Sequence, residues 1–404
     1  MDFLKLLIVM NKKTIVSIVQ GENVEENVQK ALDLINVENI IHENDSVLIK
    51  PNLSAGLSPA LGETTKLEVI EAVVKRLKSI TSKEIAIGES SGVTSDTKEV
   101  YKKLGYDTLA QKLHIKLIDF DNYEFIQVRV KNPMQYKTLR ISKALLEYNK
   151  IISIPVLKTH SFLLSCAIKN MFGVIPDEDK MRIHKDDKVE EALVDLNLTR
   201  KADLIIVDGI IGSEGLAGGI GKGKPIKMNL ILSGKDPVAV DSVAAKIIGI
   251  NPELILHIKW AAEKGVGVMD PKMIKIRGKT IEEVSRKFKT HLEQLSEELP
   301  TIKVINENAC TGCISKLSYI LSEYLTQCKK RGFKPNKKIR VFLGKNVKEI
   351  RTNNYENIVI IGDCLKNFFY KGHYIPGCPV RISDCKKIFS EIFKEEIIDY
   401  FNIQ

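Results

Sequence analysis

Four cysteines within about the last hundred residues constrain this chain more than any other feature: Cys310 and Cys313 in Ala-Cys-Thr-Gly-Cys, Cys364 in Gly-Asp-Cys, and Cys378 in Gly-Cys-Pro. A cubane iron–sulfur cluster needs four soft thiolates converging on one point, and a Cys-x2-Cys turn supplies two of them from a single loop. The other two must come from loops that fold back beside it. Thr301 to Ile305 reads as a short buried strand running into Cys310, and Asn357 to Ile361 as another running into Gly362-Asp363-Cys364. Between them the pattern predicts an amphipathic helix over Ile314 to Lys330 and a third strand over Ile339 to Leu343, with a last helix over Ile382 to Phe393. That alternation predicts a parallel sheet with crossover helices. The carboxyl ends of its strands share one edge, where open α/β sheets bind ligands, so cysteines distant in sequence are expected to arrive together.

A structural zinc is the alternative cofactor, since four thiolates also suit a tetrahedral site. Zinc ribbons, however, usually pair two Cys-x2-Cys knuckles at short separation, whereas Cys364 and Cys378 are split by thirteen residues after a gap of fifty. Cys166, Cys328 and Cys385 are expected to be small buried hydrophobes. Disulfides are not expected, because seven cysteines is an odd count and no secretory signal is visible.

The order Cys-Thr-Gly-Cys, Gly-x-Cys, Gly-Cys-Pro is similar to the proximal-cluster domain of nickel-iron hydrogenase small subunits and of the related subunit of respiratory complex I. The resemblance covers about the last hundred residues, and the family's Gly-Cys-Pro-Pro stands here as Gly377-Cys378-Pro379-Val380. It implies a flavodoxin-like sheet and a 4Fe-4S cluster held by Cys310, Cys313, Cys364 and Cys378. It also implies one-electron transfer rather than hydrogen chemistry, since the nickel of those enzymes sits on another subunit, and a partner such as a ferredoxin.

A chain of 404 residues, 44% apolar and 28% charged, has room for two or three packed domains. The apolar run in the opening MDFLKLLIVMNKK is too short for a signal h-region or a membrane span, so a cytoplasmic protein is expected, with Met10 as an alternative start. The net charge of +10 does not point to nucleic acid, because Lys and Arg are dispersed among Glu and Asp. Positive surface serves a small anionic substrate or an acidic electron-transfer partner equally well. Assembly into a homo-oligomer is left open.

From about residue 14 to 300, short apolar runs alternate with helical patterns. Strands are predicted at Val47 to Lys50, Ile85 to Gly88, Ile115 to Phe120, Ile151 to Pro155, Leu204 to Asp208 and Met228 to Leu232, with helices over Thr65 to Ile80 and Val189 to Lys201. The fold class is therefore α/β: a mixed or parallel sheet domain over 1–300, followed by a smaller flavodoxin-like α/β domain over 301–404. The polar punctuation at the strand ends runs Lys50-Pro51-Asn52, Gly88-Glu89-Ser90-Ser91-Gly92, Lys158-Thr159-His160, Ala167 to Gly173, His184, Asp208-Gly209 and Ser233 to Asp241. In this order it resembles the domain-of-unknown-function 362 family, many of whose members carry an iron–sulfur module at one end. That module is usually a small ferredoxin with Cys-x2-Cys-x2-Cys runs, which this chain lacks. The layout also resembles the lactate racemase family, although no motif carries that family's residues over.

Lys50, Lys158 and Lys169, with backbone donors at Gly88 and Gly92 and the hydroxyls of Ser90 and Ser91, are expected to form an anion cradle. His160 and His184 are candidate acids, bases or ligands. Asp208 and Asp241 are candidates to orient substrate or bind a cation, although an Asp opening a helix after Pro237 is often simply a cap or first-turn residue. Gly218-x4-Gly223-Lys224 approaches a phosphate-binding loop, but Pro225 stands where Ser or Thr is required, so a flap or an exposed hairpin is expected instead. The combined expectation is a redox protein, a possible class of oxidoreductase, whose cluster relays electrons to or from an anionic substrate. The alternatives are a cofactor-assembly or metal-delivery protein, or a zinc-stabilised binding module.

Overall fold

Strands buried on both faces read as near-continuous apolar runs, and those runs build the centre of the larger sheet. The computed structural model describes residues 13–93, 95–218, 221–351 and 357–394. Its contacts separate two units: one within Met1–Lys158, Leu164–Pro252 and His257–Phe288, the other within Thr159–Leu163, Glu253–Leu256 and Lys289–Gln404. The opening run and the alternative start at Met10 lie outside the described residues.

In the first unit the strands are β1 (Thr14–Gln20), β2 (Val47–Lys50), β3 (Ile85–Glu89), β4 (Lys116–Asp119), β5 (Phe125–Arg129), β6 (Thr138–Ser142), β7 (Lys150–Ser153), β8 (Val156–His160), β9 (Leu163–Ser165), β10 (Leu204–Leu216), β11 (Lys222–Gly234) and β12 (Ile274–Gly278), of which β8 and β9 run across the division between the units. The main sheet has the order β12-β1-β11-β10-β7-β2-β3-β4, with β8 set against β10, while β5 and β6 form a separate hairpin. Strands β10, β7, β2, β3 and β4 run parallel, and β11 is antiparallel to both β10 and β1. One face is covered by the helices Val24–Leu34 and Leu67–Lys78. Val28, Ala31 and Leu32 of the first and Ile70, Val73, Val74 and Leu77 of the second share a buried cluster with Val47, Ile49, Ile85, Ile87 and Ile152. Each such Val, Leu or Ile side chain contributes about 1.5–3 kcal/mol by leaving water. Asn23 caps the first of these helices, accepting from the Glu26 amide.

Strands β10 and β11 are much longer than their predicted apolar cores. The glycine-dense stretch joins them as a hairpin in which Gly215 faces Gly223 and Leu216 faces Lys222. Gly223, Lys224 and Pro225 therefore lie in a strand, and the hairpin reading stands in place of a phosphate loop. The tip at 219–220 lies outside the described residues. Strands β5 and β6 went unread because β5 buries little and carries no continuous apolar run.

The second unit is a four-stranded parallel sheet with the sequential order β13 (Ile302–Asn306), β14 (Ile339–Leu343), β15 (Asn357–Ile361) and β16 (His373–Ile375). Helix Thr311–Arg331 links β13 to β14 and buries Leu317, Leu321, Tyr324 and Cys328 along one stripe. Tyr324 stacks on Phe393 of helix Ile382–Phe393 with ring centroids 3.8 Å apart. Among the described residues no helix is long and apolar enough to cross a membrane.

Candidate functional site

Because β13, β15 and β16 are parallel, the three loops that leave their carboxyl ends emerge on one edge of the small sheet, and these loops carry the four cysteines. Cys310 occupies the N-cap of helix Thr311–Arg331, and Cys313 lies in its first turn, donating its amide to the Cys310 carbonyl at 3.1 Å. Their thiols are in hydrogen-bond contact. That contact and burial push the Cys313 thiol well up, and Cys364 is close enough to add to the shift.

The Cys364 loop is tied to the Cys378 loop by its backbone and by Asp363. The Asp363 amide donates to the Gly377 carbonyl at 3.1 Å, and Asp363 Oδ1 accepts from the Gly377 amide at 2.7 Å and from the Tyr374 hydroxyl at 2.9 Å. These bonds hold the Asp363 carboxyl below its usual range. Gly362 has a φ of +92°, and a Cβ there would stand 3.1 Å from Cys313 Sγ, so only glycine lets this loop pass the buried thiol. Cys364 and Cys378 are exposed, and none of the seven cysteines forms a disulfide. Cys166, Cys328 and Cys385 are buried, as expected of small hydrophobes.

Among the described residues no group of three or more His, Cys, Asp or Glu side chains is arranged to hold a metal ion. The donor chemistry nonetheless fits a soft centre. Four thiols stand on three adjoining loops, two of them touching, and the neighbouring Asp363 Oδ1 is taken up by the Gly377 amide and the Tyr374 hydroxyl.

In the first unit the candidate lysines differ sharply from one another. Lys50 ends β2 and is 1% exposed, with Nζ donating to Glu89 Oε2 at 2.6 Å. Burial pulls the Lys50 pKa down and pushes the Glu89 pKa up, while their mutual attraction opposes both shifts. Lys158, inside β8, donates to Glu63 Oε2 at 3.2 Å, the Glu63 carbonyl at 2.8 Å and Asn52 Oδ1 at 2.9 Å. Glu63 also accepts from the Gly218 amide, fastening the base of the glycine hairpin.

Lys169 is only half-buried, and among the described residues its ammonium has no hydrogen-bond or ion-pair partner. Burial, then the like charge of Lys158, and Lys50 after that, lower its pKa to about 8 against the pull of Glu63. The short helix Ala167–Asn170 that carries it is fixed at both ends. Asp241 accepts from the Ala167 and Ile168 amides at 2.7 and 3.0 Å, and Asn170 Nδ2 reaches Ser153 Oγ at 2.9 Å. Gly173 follows, where a Cβ would lie 2.2 Å from Glu89 Oε1 and 2.9 Å from Lys50 Nζ.

Ser90 and Ser91 are enclosed in a polar network. Ser90 Oγ donates to Asp121 Oδ1 at 2.6 Å and accepts from Lys180 Nζ, which also pairs with Asp177, and Thr97 Oγ1 donates to Asp121 Oδ2 at 2.6 Å. Asp208 accepts from the Lys66 and Ile210 amides at 2.8 and 3.1 Å, and burial lifts its pKa to about 6. Asp241, similarly lifted to about 6, acts as a cap. The His184 ring meets Phe172 edge-on at 5.5 Å, and desolvation and then Lys169 bring its pKa to about 4. The neighbours of His160 are Ser161 Oγ at 3.0 Å from Nδ1, the Phe162 ring at 5.3 Å and the His291 ring at 5.8 Å.

Sequence reasoning missed Glu63, Glu89, Asn52, Asn170 and Lys180 as members of these networks. Glu89 was visible between glycine and serine at the end of a strand, and Asn52 two residues after Lys50. Glu63 and Lys180 carry no local signal.

These features define a two-unit α/β protein with a buried lysine–glutamate array in its larger unit and a cysteine-bearing sheet edge in its smaller one. A family model described as "Domain of unknown function (DUF362)" matches residues 47–246. A thylakoid-associated protein of Synechocystis is 30% identical over 236 residues, spanning 57% of this chain and 70% of that one. The chain belongs to the domain-of-unknown-function 362 family. Among solved structures, the lactate racemase apoprotein from Thermoanaerobacterium thermosaccharolyticum aligns over 95% of this chain and 91% of its own, at 11% identity and a TM-score of 0.39. A likeness at that level carries no functional argument.

Proposed function

We propose that this is an iron–sulfur redox protein. Cys310, Cys313, Cys364 and Cys378 hold one 4Fe-4S cluster, which exchanges electrons with a small anionic substrate bound by the first unit. What supports the reading most is the meeting of the cysteine loops: the Cys310–Cys313 thiol contact, Gly362 against Cys313 Sγ, and the paired bonds between Asp363 and Gly377. When bound, a cluster supplies one-electron transfer. The chain's own part is to fix the loops, which Asp363 does through the Gly377 amide and the Tyr374 hydroxyl.

On the substrate side, Lys50 and Lys158 have their charges balanced by Glu89 and Glu63, so they shape the site more than they attract a ligand. Lys169 is the cation of the three left to meet an anion. Burial and then Lys169 lower the His184 pKa to about 4, which keeps its imidazole neutral at physiological pH. The net charge of +10 favours an acidic electron-transfer partner such as a ferredoxin.

The test is iron content in Cys310→Ser and Cys364→Ser proteins purified without oxygen. Loss of most iron and of the dithionite-bleachable absorption in both is expected. Full iron in both variants would contradict the assignment, and one bound zinc with no chromophore in the parent protein would replace it with a structural site.

A further inference from the structure

We propose that Lys169 is a covalent capture site for a small anionic aldehyde or ketone, its amine condensing with the carbonyl carbon. The inference rests on the reading that the first unit binds a small anion, and it narrows that anion to a carbonyl compound.

The geometry sets Lys169 apart from its neighbours. Lys50, Lys158 and Lys180 each donate to a carboxylate, at 2.6, 3.2 and 2.8 Å, whereas among the described residues the Lys169 amine has no such partner. Its position is also held. Asp241 accepts two amides at the start of its helix, and Asn170, the next residue, donates to Ser153 Oγ and to the Lys50 and Pro51 carbonyls.

A lysine that only grips an anion works best fully charged, and nearby cations weaken it in that role. The same neighbours, together with partial burial, favour the neutral amine, which is the nucleophile. Lys50 and Lys158 both act on Lys169 in this sense. With Lys50 and Lys158 balanced by Glu89 and Glu63, the protonated iminium formed at Lys169 is the charge that a substrate carboxylate or phosphate would meet. His184 lies within electrostatic reach of Lys169.

In the step itself, the neutral Nζ adds to the carbonyl carbon, the C=O π pair moves to oxygen, and a proton passes from nitrogen to that oxygen. The C–O bond then breaks, and the oxygen leaves as water with one further proton from solvent. A protonated imine remains, so the amine, the carbonyl compound and one proton give an iminium and one water. No oxidant or reductant is consumed.

The test uses pyruvate with cyanoborohydride on the full-length, anaerobically purified protein at neutral pH, with the adducts located by peptide mass spectrometry. A 1-carboxyethyl group concentrated on Lys169, on the order of tenfold or more above exposed lysines, is expected from its larger neutral fraction. It should be absent from Lys169→Arg, which keeps the charge and lacks the nucleophile. Adducts spread evenly over surface lysines, or no adduct at Lys169, would overturn the proposal. Iron and sulfide are counted on the same preparation, so the two readings fail separately: an adduct without iron removes the redox role alone, and iron without an adduct removes the capture site alone.

Discussion

At the scale of single residues, the larger unit is decided by how lysines are paired. Glu89 holds a Lys50 that is almost entirely out of water, so Glu89→Gln leaves a buried ammonium without a counter-charge. Breaking such a pair from one side costs about 3–5 kcal/mol, and chemical denaturation of the variant should show a loss of that size. A loss under about 0.5 kcal/mol, of the order seen for exposed pairs, would mean the pair is solvated in solution. Lys169 predicts the opposite sign. An amine whose pKa falls on folding, here from 10.5 to about 8, binds its proton more weakly in the native state. Its destabilising effect is therefore full below about 8 and fades as pH climbs toward 10.5. Lys169→Met should stabilise the protein by about 1–3 kcal/mol at pH 7 and by little near pH 10.5, read from denaturation midpoints at both pH values. Equal effects at the two pH values would show that lost packing, not charge, governs the residue.

At the scale of elements, the loop between β15 and β16 depends on a backbone that only glycine adopts without strain. Gly362→Ala places a methyl 3.1 Å from Cys313 Sγ at a φ of +92°, so a cost of about 1–2 kcal/mol and a reduced iron content are expected together. Unchanged iron binding in that variant would mean the loop is free to move away from Cys313. The same elements show what the sequence makes legible. Strands Ile339–Leu343 and Asn357–Ile361 and helix Ile382–Phe393 are found at their predicted bounds, because each is an apolar run or stripe with turn residues at its ends. Strand β1 went unread although four of its seven residues are buried and Gly21 follows it, and β5 left a weaker trace because none of its residues is fully buried. The sequential order β13-β14-β15-β16 is a property of crossover paths, which no local pattern encodes. Lys50 could be read from a strand end, while Lys158 stands inside β8 and Lys169 on a short helix. The partners of Lys50 and Lys158 could not be read, since Glu63 and Lys158 are 95 residues apart and meet only through the fold.

At the scale of the whole molecule, one chain carries a sheet edge with four thiols and, in its larger unit, an array of buried lysines paired with glutamates. The cluster is tested by iron and sulfide analysis of anaerobically purified protein, together with its absorption and electron paramagnetic resonance spectra. About four irons and four sulfides per chain, with a visible band bleached by dithionite and a resonance that appears on reduction, are the predicted result. Stoichiometric zinc, or protein with neither metal nor sulfide, would contradict it.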